Sequence, residues 1–456
     1  MVEPMTSAAS PAFEPAASTW LDRRFAFRAR GSDVRTEVLA GFTTFFTMAY
    51  VVVVNPAILG MAGMPIAGVA TATCIGSLLA CLIMGFLADV PVAMAPGMGL
   101  NAYFSFTVVQ QMHLPWQVGL VCVFLSGLFF LVLTRLGVRQ MVMSVIPHHL
   151  LAAVAAGIGM FIALIGLKNA GIVVANPETI VALGKMTAPG PLLSLVGLAL
   201  IMALTLLGVR GAILISILVT TVIGIATGMA PVAAAHQGWA DMGSTILALD
   251  PAWAWRLFGH GWGVLEVVFV FLFVDLFENI GTLVAVTRKA GLVRPDGSIP
   301  GLNRMLYADS ISSMIGALLG TTTVTSYVES ATGVEVGGRS GLTAVITGLL
   351  FLVALPFAPY AQLVPLAATA PALIVVGALM MAPLIEIDWN KSEEAIPAFL
   401  ALVMIPLTFS IANGLAFGIT AHALIKALRR EFTRENALLF VLAVLFVFRF
   451  AYIAGV

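Results

Sequence analysis

From residue 38 onward, apolar runs of membrane-crossing length follow one another with only short polar links between them. They fall near 38–60, 68–88, 97–111, 116–134, 147–166, 190–208, 212–230, 262–286, 305–320, 329–340, 341–358, 369–385, 395–411 and 414–428. A further run lies at 437–453. A helical span needs about 20 apolar residues, so the pattern describes a helical integral membrane protein. Only 10% of the residues are charged, against about 25% in soluble domains, and no room is left for a sizeable soluble domain. Net charge is zero and no basic stretch resembles a nucleic-acid surface. The three cysteines, Cys74, Cys81 and Cys122, lie within apolar runs, match no metal spacing and are odd in number, so they read as small buried hydrophobes. Residues 1–19 are rich in Ala, Ser and Pro and lack the basic-then-apolar order of a cleaved signal peptide. Trp20–Arg30 reads as a short interfacial helix.

Cations sort the links into two classes. With the basic N-terminus (Arg23, Arg24, Arg28, Arg30, Arg35) placed in the cytoplasm, every second link should also be basic. Arg135 and Arg139 satisfy this, as do Arg210, then Arg288, Lys289, Arg294 and Arg304, then Arg339, then Lys426, Arg429 and Arg430. Fourteen segments with both ends inside is self-consistent; 437–453 is then either a fifteenth span, which puts the last residues outside, or a segment along the cytoplasmic surface, the reading that keeps the fourteen.

Segments three and ten are the irregular ones. The third reads DVPVAMAPGMGLNAYFSFTVV from Asp89, and the tenth reads GTTTVTSYVESATGVEVGGRS from Gly320. Each begins as a short run of strand character and continues as a helix of about 12–15 residues, too short to span alone. Irregular backbone at membrane depth survives only where protein buries it or where it lines a cavity. Two such breaks at corresponding places predict two inverted seven-segment repeats. The helix N-termini then meet near the midplane and aim free N–H groups at one point.

Phe271–Thr287 (FLFVDLFENIGTLVAVT) brings Asp275 and Glu278 to a similar depth. A carboxylate there costs roughly 2.5–3.5 kcal/mol on insertion scales, and a spacing of three stacks the two on one helix face. Asn279 and Thr282 extend the stripe. Glu329 stands at the start of the second half-helix, either as a site residue or as a cap favoured by the macrodipole. Asn101 stands on the first half-helix, and its competing role is an interhelical hydrogen bond. Glu335 and Arg339 are spaced for an intrahelical ion pair. Asp89, Asp309 and Glu266 fall near segment ends and read as solvated, and His148 and His149 as interfacial. Phe45, Phe46, Tyr50, Phe273, Phe277 and Tyr327 include candidate stacking partners for a planar ligand. No metalloprotease, P-loop or nucleophile-elbow motif is present, which disfavours an intramembrane enzyme. An anion carrier would need cations at the site, where only acids are found.

Taken together, GFTTFFTMAYVVVVNPAILG, APGMGLNAYF, VDLFENIGT, TTTVTSYVESATGV and IPAFLALVMIPLTFSIANGLAFG resemble the nucleobase–cation symporter family that includes the uracil and xanthine permeases. The resemblance is closest to the AzgA-like purine permease branch and covers nearly the whole chain. It implies a uracil-permease-like fold with a core domain (36–140 and 236–360) and a gate domain (141–235 and 361–430), flanked by a tail at 1–35 and an interfacial segment at 431–456. It implies import of adenine, guanine or hypoxanthine across the cytoplasmic membrane by proton symport, with no cofactor and both termini inside. Substrate contacts are then expected from Glu278, Glu329, Asn101, Ser330 and Tyr327, and proton coupling from Asp275, Glu278 and Thr282. Thr282 stands where uracil-type members carry a His, so the proton route cannot be copied across, and Asp275 one turn earlier is the substitute. A homodimer is the assembly that relatives of this fold often form.

Overall fold

The computed structural model describes residues 19–136, 147–228, 241, 243–250, 252, 262–294, 298–433 and 436–452. A helix stands at each predicted run: α1 (Trp20–Phe25), α2 (Val34–Met48), α3 (Val51–Gly60), α4 (Ile66–Ile83), α5 (Met98–Ala102), α6 (Trp116–Leu136), α7 (His148–Asn169), α8 (Pro189–Leu206), α9 (Ala212–Ala226), α10 (Trp262–Lys289), α11 (Leu302–Leu319), α12 (Ser330–Val336), α13 (Gly341–Ala354), α14 (Leu366–Leu379), α15 (Ser392–Thr408), α16 (Ile411–Leu428) and α17 (Ala437–Tyr452). Nine stretches among the described residues are long and apolar enough to cross a membrane.

Breaks in these helices have local causes. Asp33 caps α2, its carboxylate accepting from Thr36 N–H at 2.9 Å, in the usual manner of a short acidic N-cap. Pro56 has no N–H to offer Val52, and its ring crowds that turn. The chain therefore tightens between α2 and α3, where Val52 N–H and Val53 N–H reach the carbonyls three residues back, Ala49 and Tyr50, at 3.1 Å each. The tenth segment's helix, α12, is seven residues long, shorter than the expected 12–15, because Gly337 ends it in a left-handed conformation (φ 116°).

The strand character of the two irregular segments is realised as β1 (Met94–Pro96) and β4 (Val324–Ser326). They pair antiparallel with Ala95 opposite Thr325, and all six residues are buried. A second pair, β2 (Val173–Asn176) with β3 (Ile180–Leu183), forms an exposed hairpin that the hydropathy pattern does not announce. Asn176 Oδ1 closes its turn by accepting from Glu178 and Thr179 N–H, as Asx turns do.

Packing repeats at an interval of seven segments. The fourth segment, α6, lies on the eighth and ninth (α10 and α11), and the eleventh, α13, lies on the first and second (α2 and α4). Likewise the thirteenth, α15, lies on the fifth (α7), and the sixth, α8, on the twelfth (α14). The chain is thus a two-fold inverted repeat in its contacts as well as its hydropathy. The last helix, α17, runs back along α16, with Phe450 against Phe417 (5.1 Å) and Phe446 against Phe269 of α10 (6.4 Å). Leu439, Ala443 and Phe446, at helical spacing, are its buried stripe.

Three further expectations are corrected near one end of the bundle. Asp89 is engaged rather than solvated, its carboxylate taking Arg30 Nη2 at 2.5 Å and Gly341 N–H at 2.9 Å. Burial pushes its pKa up, while Gly341 N–H and the Arg30 charge pull it back. Glu335 pairs with Lys289 of α10 instead of Arg339, because Arg339 spends its guanidinium on the Val334 and Gly338 carbonyls that end α12. His149 is buried, its ring 5.0 Å from that of His422.

Close helix approach depends on missing side chains. A Cβ on Gly85 would meet Gly341 O at 2.6 Å and Val345 Cγ2 at 2.7 Å, whereas one on Gly263 meets only Met112 Cε at 3.5 Å. Gly85→Ala should therefore cost about 1–3 kcal/mol from overpacking, and Gly263→Ala should be neutral or slightly stabilising from helix propensity. Melting in detergent checks the pair, and equal midpoints would remove this account of the α4–α13 approach.

Candidate functional site

The crossing of β1 and β4 leaves α5 and α12 starting from opposite sides of one place, and α10 passes beside both. Glu278 projects from α10 toward α5: a Cβ on Gly99 would lie 3.9 Å from its Oε2. That oxygen is buried and has no hydrogen-bond partner. Glu329 immediately precedes α12, yet its side chain does not cap the helix. It accepts instead from the Tyr50 hydroxyl at 2.8 Å. The Glu278 and Glu329 carboxylates are near enough to act on one another electrostatically, and both residues retain partial exposure. Two carboxylate acceptors thus converge where two helices begin, an arrangement suited to a ligand edge bearing N–H donors.

The structure divides the carboxylate pair that the sequence places on one helix face. Asp275 turns away from Glu278 toward α11, where Oδ2 accepts from Ser313 Oγ at a long 3.4 Å and Oδ1 has no partner. Facing it is Asp309, which the sequence reading treated as solvated. Asp309 is fully buried, and neither of its oxygens has a hydrogen-bond partner; Thr325 of β4 and Asn279 of α10 stand beside it. Its signal in the sequence was the stripe Asp309, Ser310, Ser312 and Ser313 in a helix that is largely apolar after Arg304. Ser310 and Ser312 are satisfied by Leu306 O (2.8 Å) and Ala308 O (2.6 Å) on their own helix, which leaves the acid as the exceptional group.

Other expected site residues are committed to holding the segments together. Asn101 Nδ2 donates to Asn55 Oδ1 at 2.6 Å, and its Oδ1 accepts from Thr322. Ser330 Oγ accepts from Ala93 N–H at 2.9 Å, and the Tyr327 hydroxyl donates to Pro96 O at 2.5 Å. Thr282 is partly exposed on α10. Among the aromatic candidates, Phe273 and Phe277 lie against each other at 4.6 Å, and Phe45 lies against Phe351 at 5.2 Å. Asn55, passed over in the sequence, is a hub: it also donates to Thr73 Oγ1 (2.7 Å) and Thr321 Oγ1 (3.0 Å).

Exposure around the site is uneven. Every residue from Val90 to Val108 is buried, while Val328, next to Glu329, is 55% exposed. The far end of the third segment is closed by rings: Phe106, Phe161 and Phe409 meet edge-on at 5.4–6.4 Å. Lys168 Nζ lies within 5.9 Å of the Phe106 and Phe409 centroids, and Thr107 Oγ1 donates to Phe409 O at 2.5 Å. Among the described residues no group of three or more His, Cys, Asp or Glu is placed to hold a metal ion.

The chain is 42% identical to the adenine permease AdeP of Escherichia coli (strain K12), over 95% of this chain and 96% of that one. It is 41% identical to the guanine/hypoxanthine permease PbuG of Bacillus subtilis (strain 168), over 94% and 99%. Among solved structures, the transmembrane domain of the cyanobacterial bicarbonate transporter BicA superposes with a TM-score of 0.63 at 16% identity, covering 83% of this chain and 97% of that one. That likeness speaks for the fold alone. Residues 35–417 match the xanthine/uracil permease type, described as the Permease family, and the chain belongs to that family of membrane transporters.

Proposed function

We propose that this chain imports purine nucleobases (adenine, guanine or hypoxanthine) by proton symport across the cytoplasmic membrane, with both termini inside. The observation that carries the reading is the convergence of Glu278 and Glu329 at the starts of α5 and α12. Purines present N–H donors on one edge, which paired carboxylate oxygens accept, and the names of the 41–42% identical relatives fit that class. The bicarbonate and anion transporters that share the fold suggest an anion carrier, but two unpaired carboxylates would repel an anion.

Proton coupling follows from charge. Asp275, Glu278, Asp309 and Glu329 sit in one neighbourhood, and among the described residues none of them forms a salt bridge. Several unpaired charges buried together would each cost several kcal/mol, and a bound proton is the cheapest relief. On this reading Glu278 and Glu329 receive the base, with Ser330, Tyr327 and Asn101 shaping the floor, and Asp275 with Asp309 holds the transported proton. Thr282, lacking a titratable group, lines the path. Alternating access has the core segments (36–140 and 236–360) move against the gate segments (141–235 and 361–430), with the Phe106–Phe161–Phe409 contact closing one side in the present conformation. A homodimer is the proposed assembly.

Uptake of radiolabelled adenine, guanine and hypoxanthine into proteoliposomes tests this directly. At least one purine should enter faster with an inward proton gradient, and absence of purine uptake by folded protein would refute the reading. Glu278→Gln should lower purine binding more than tenfold, since an amide N–H replaces a charged acceptor, while melting stays near wild type; unchanged affinity would remove Glu278 from the site. Asp309→Asn should leave purine affinity within about threefold but make uptake indifferent to the gradient. Wild-type stimulation by the gradient in that variant would exclude Asp309 from coupling.

A further inference from the structure

Glu329 needs something to hold it. A glutamate side chain has three rotatable bonds, and fixing it costs rotamer entropy. It does not cap α12; besides its own backbone N–H, the group that holds its carboxylate comes from 279 positions away. The tightened turn between α2 and α3 delivers Tyr50 there: the ring is 1% exposed and its hydroxyl donates to Glu329 Oε1 at 2.8 Å. A buried tyrosine hydroxyl needs an acceptor, and a phenol donating to a carboxylate makes a strong, charge-assisted bond. One turn back on α2 and one turn on along α12, the Thr47 and Thr332 hydroxyls meet at 3.1 Å. Beyond them Gly333 leaves no space for a Cβ against Thr44 and Ala40. The α2–α12 contact is therefore close throughout, and Tyr50 is the member of it that reaches the site.

The geometry points to Tyr50 as the positioning residue of this site: its hydroxyl occupies Glu329 Oε1 and fixes the side chain, so that Oε2 alone is offered to a ring N–H of a heteroaromatic base. The inference rests on the reading of Glu329 as a nucleobase acceptor. It assigns Tyr50 a polar, orienting role in place of a stacking one. Together with the unpartnered Oε2 of Glu278, it gives the site two single acceptors set before the ligand arrives, and such preorganisation raises affinity by removing an ordering cost from binding.

The test uses full-length wild type, Tyr50→Phe, Glu329→Gln and Thr332→Val, each shown folded by its melting profile, with labelled adenine, guanine and hypoxanthine as probes. Tyr50→Phe keeps the ring and should weaken binding of the transported purine about tenfold, the scale of a lost hydrogen bond to a charged group. Thr332→Val removes a hydroxyl that meets Thr47 and the Glu329 backbone carbonyl but not the Glu329 carboxylate, and it should stay within twofold. Infrared difference spectra without ligand should show Tyr50→Phe moving a carboxylate band that Glu329→Gln deletes. Unchanged affinity in Tyr50→Phe overturns the inference, as does an unmoved carboxylate band. Equal losses in Tyr50→Phe and Thr332→Val also overturn it, because the helix contact and not the phenol would then be responsible. If wild type binds none of the three purines, it is the functional reading that fails, and the infrared band still reports separately whether Tyr50 holds Glu329.

Discussion

Two three-residue strands, pairing antiparallel in the middle of a mostly helical membrane protein, set the terms for everything around them. A two-stranded pair satisfies only its inner edges, and unpaired backbone groups at that depth cost about 1–3 kcal/mol each. The surrounding sequence supplies partners one by one. Met94 N–H donates to Cys81 Sγ and Ala93 N–H to Ser330 Oγ. The ladder itself runs on past both ends, Tyr327 N–H donating to Ala93 O and Gly97 N–H to Thr323 O. The Ser313 and Tyr327 hydroxyls reach Val324 O and Pro96 O. Residues that a composition survey would class as small core fillers or site aromatics are thus spent on the strand edges, and this is why α5 and α12 can begin where they do.

The first segment carries the same burden along its length. Asn55 ties together the third segment, through Asn101, and the tenth, through Thr321. Tyr50 holds Glu329 one turn earlier. Near the start of α2, Glu37 accepts from Arg339 N–H at 2.9 Å and from Thr343 Oγ1 at 2.5 Å. Before the helix begins, Arg30 bridges Asp89 and the Arg339 carbonyl. The ends of both irregular segments are therefore pinned by one continuous stretch of chain. A membrane core without water gives each of these contacts greater leverage than it would have at a wet surface.

Much of this was legible in the sequence because its causes are local. Proline and glycine beside short β-branched runs marked segments three and ten, and the depth of Glu278 and Glu329 marked them as candidates for the site proposed here. What escaped depends on contacts hundreds of positions apart. Periodicity put Asp275 and Glu278 on one face, but a 60° offset around a helix is enough to send one toward α5 and the other toward α11. Asp309 was read by its distance from a segment end, which says nothing about what packs over it. Asn101, Ser330 and Tyr327 were correctly seen as polar groups at depth, but no local pattern separates a group facing a ligand from one serving a strand edge.

On the proposed reading the two pairs of carboxylates must communicate, and Asn279 is placed to link them. It directly follows Glu278 in α10, its Oδ1 accepts from Ser326 Oγ at 2.5 Å, and its Nδ2 is buried without a partner beside Asp309. An ionised Asp309 offers that N–H an acceptor, and a protonated one offers it far less. The amide is therefore drawn toward Asp309 or released according to the proton, while its other end stays bonded to the strand that leads into Glu329. Coupling of this kind needs no long pathway, only one side chain with different contacts in the two charge states. It also accounts for an amide at this position, since neither a carboxylate nor a hydrophobe could both accept from Ser326 and donate to Asp309.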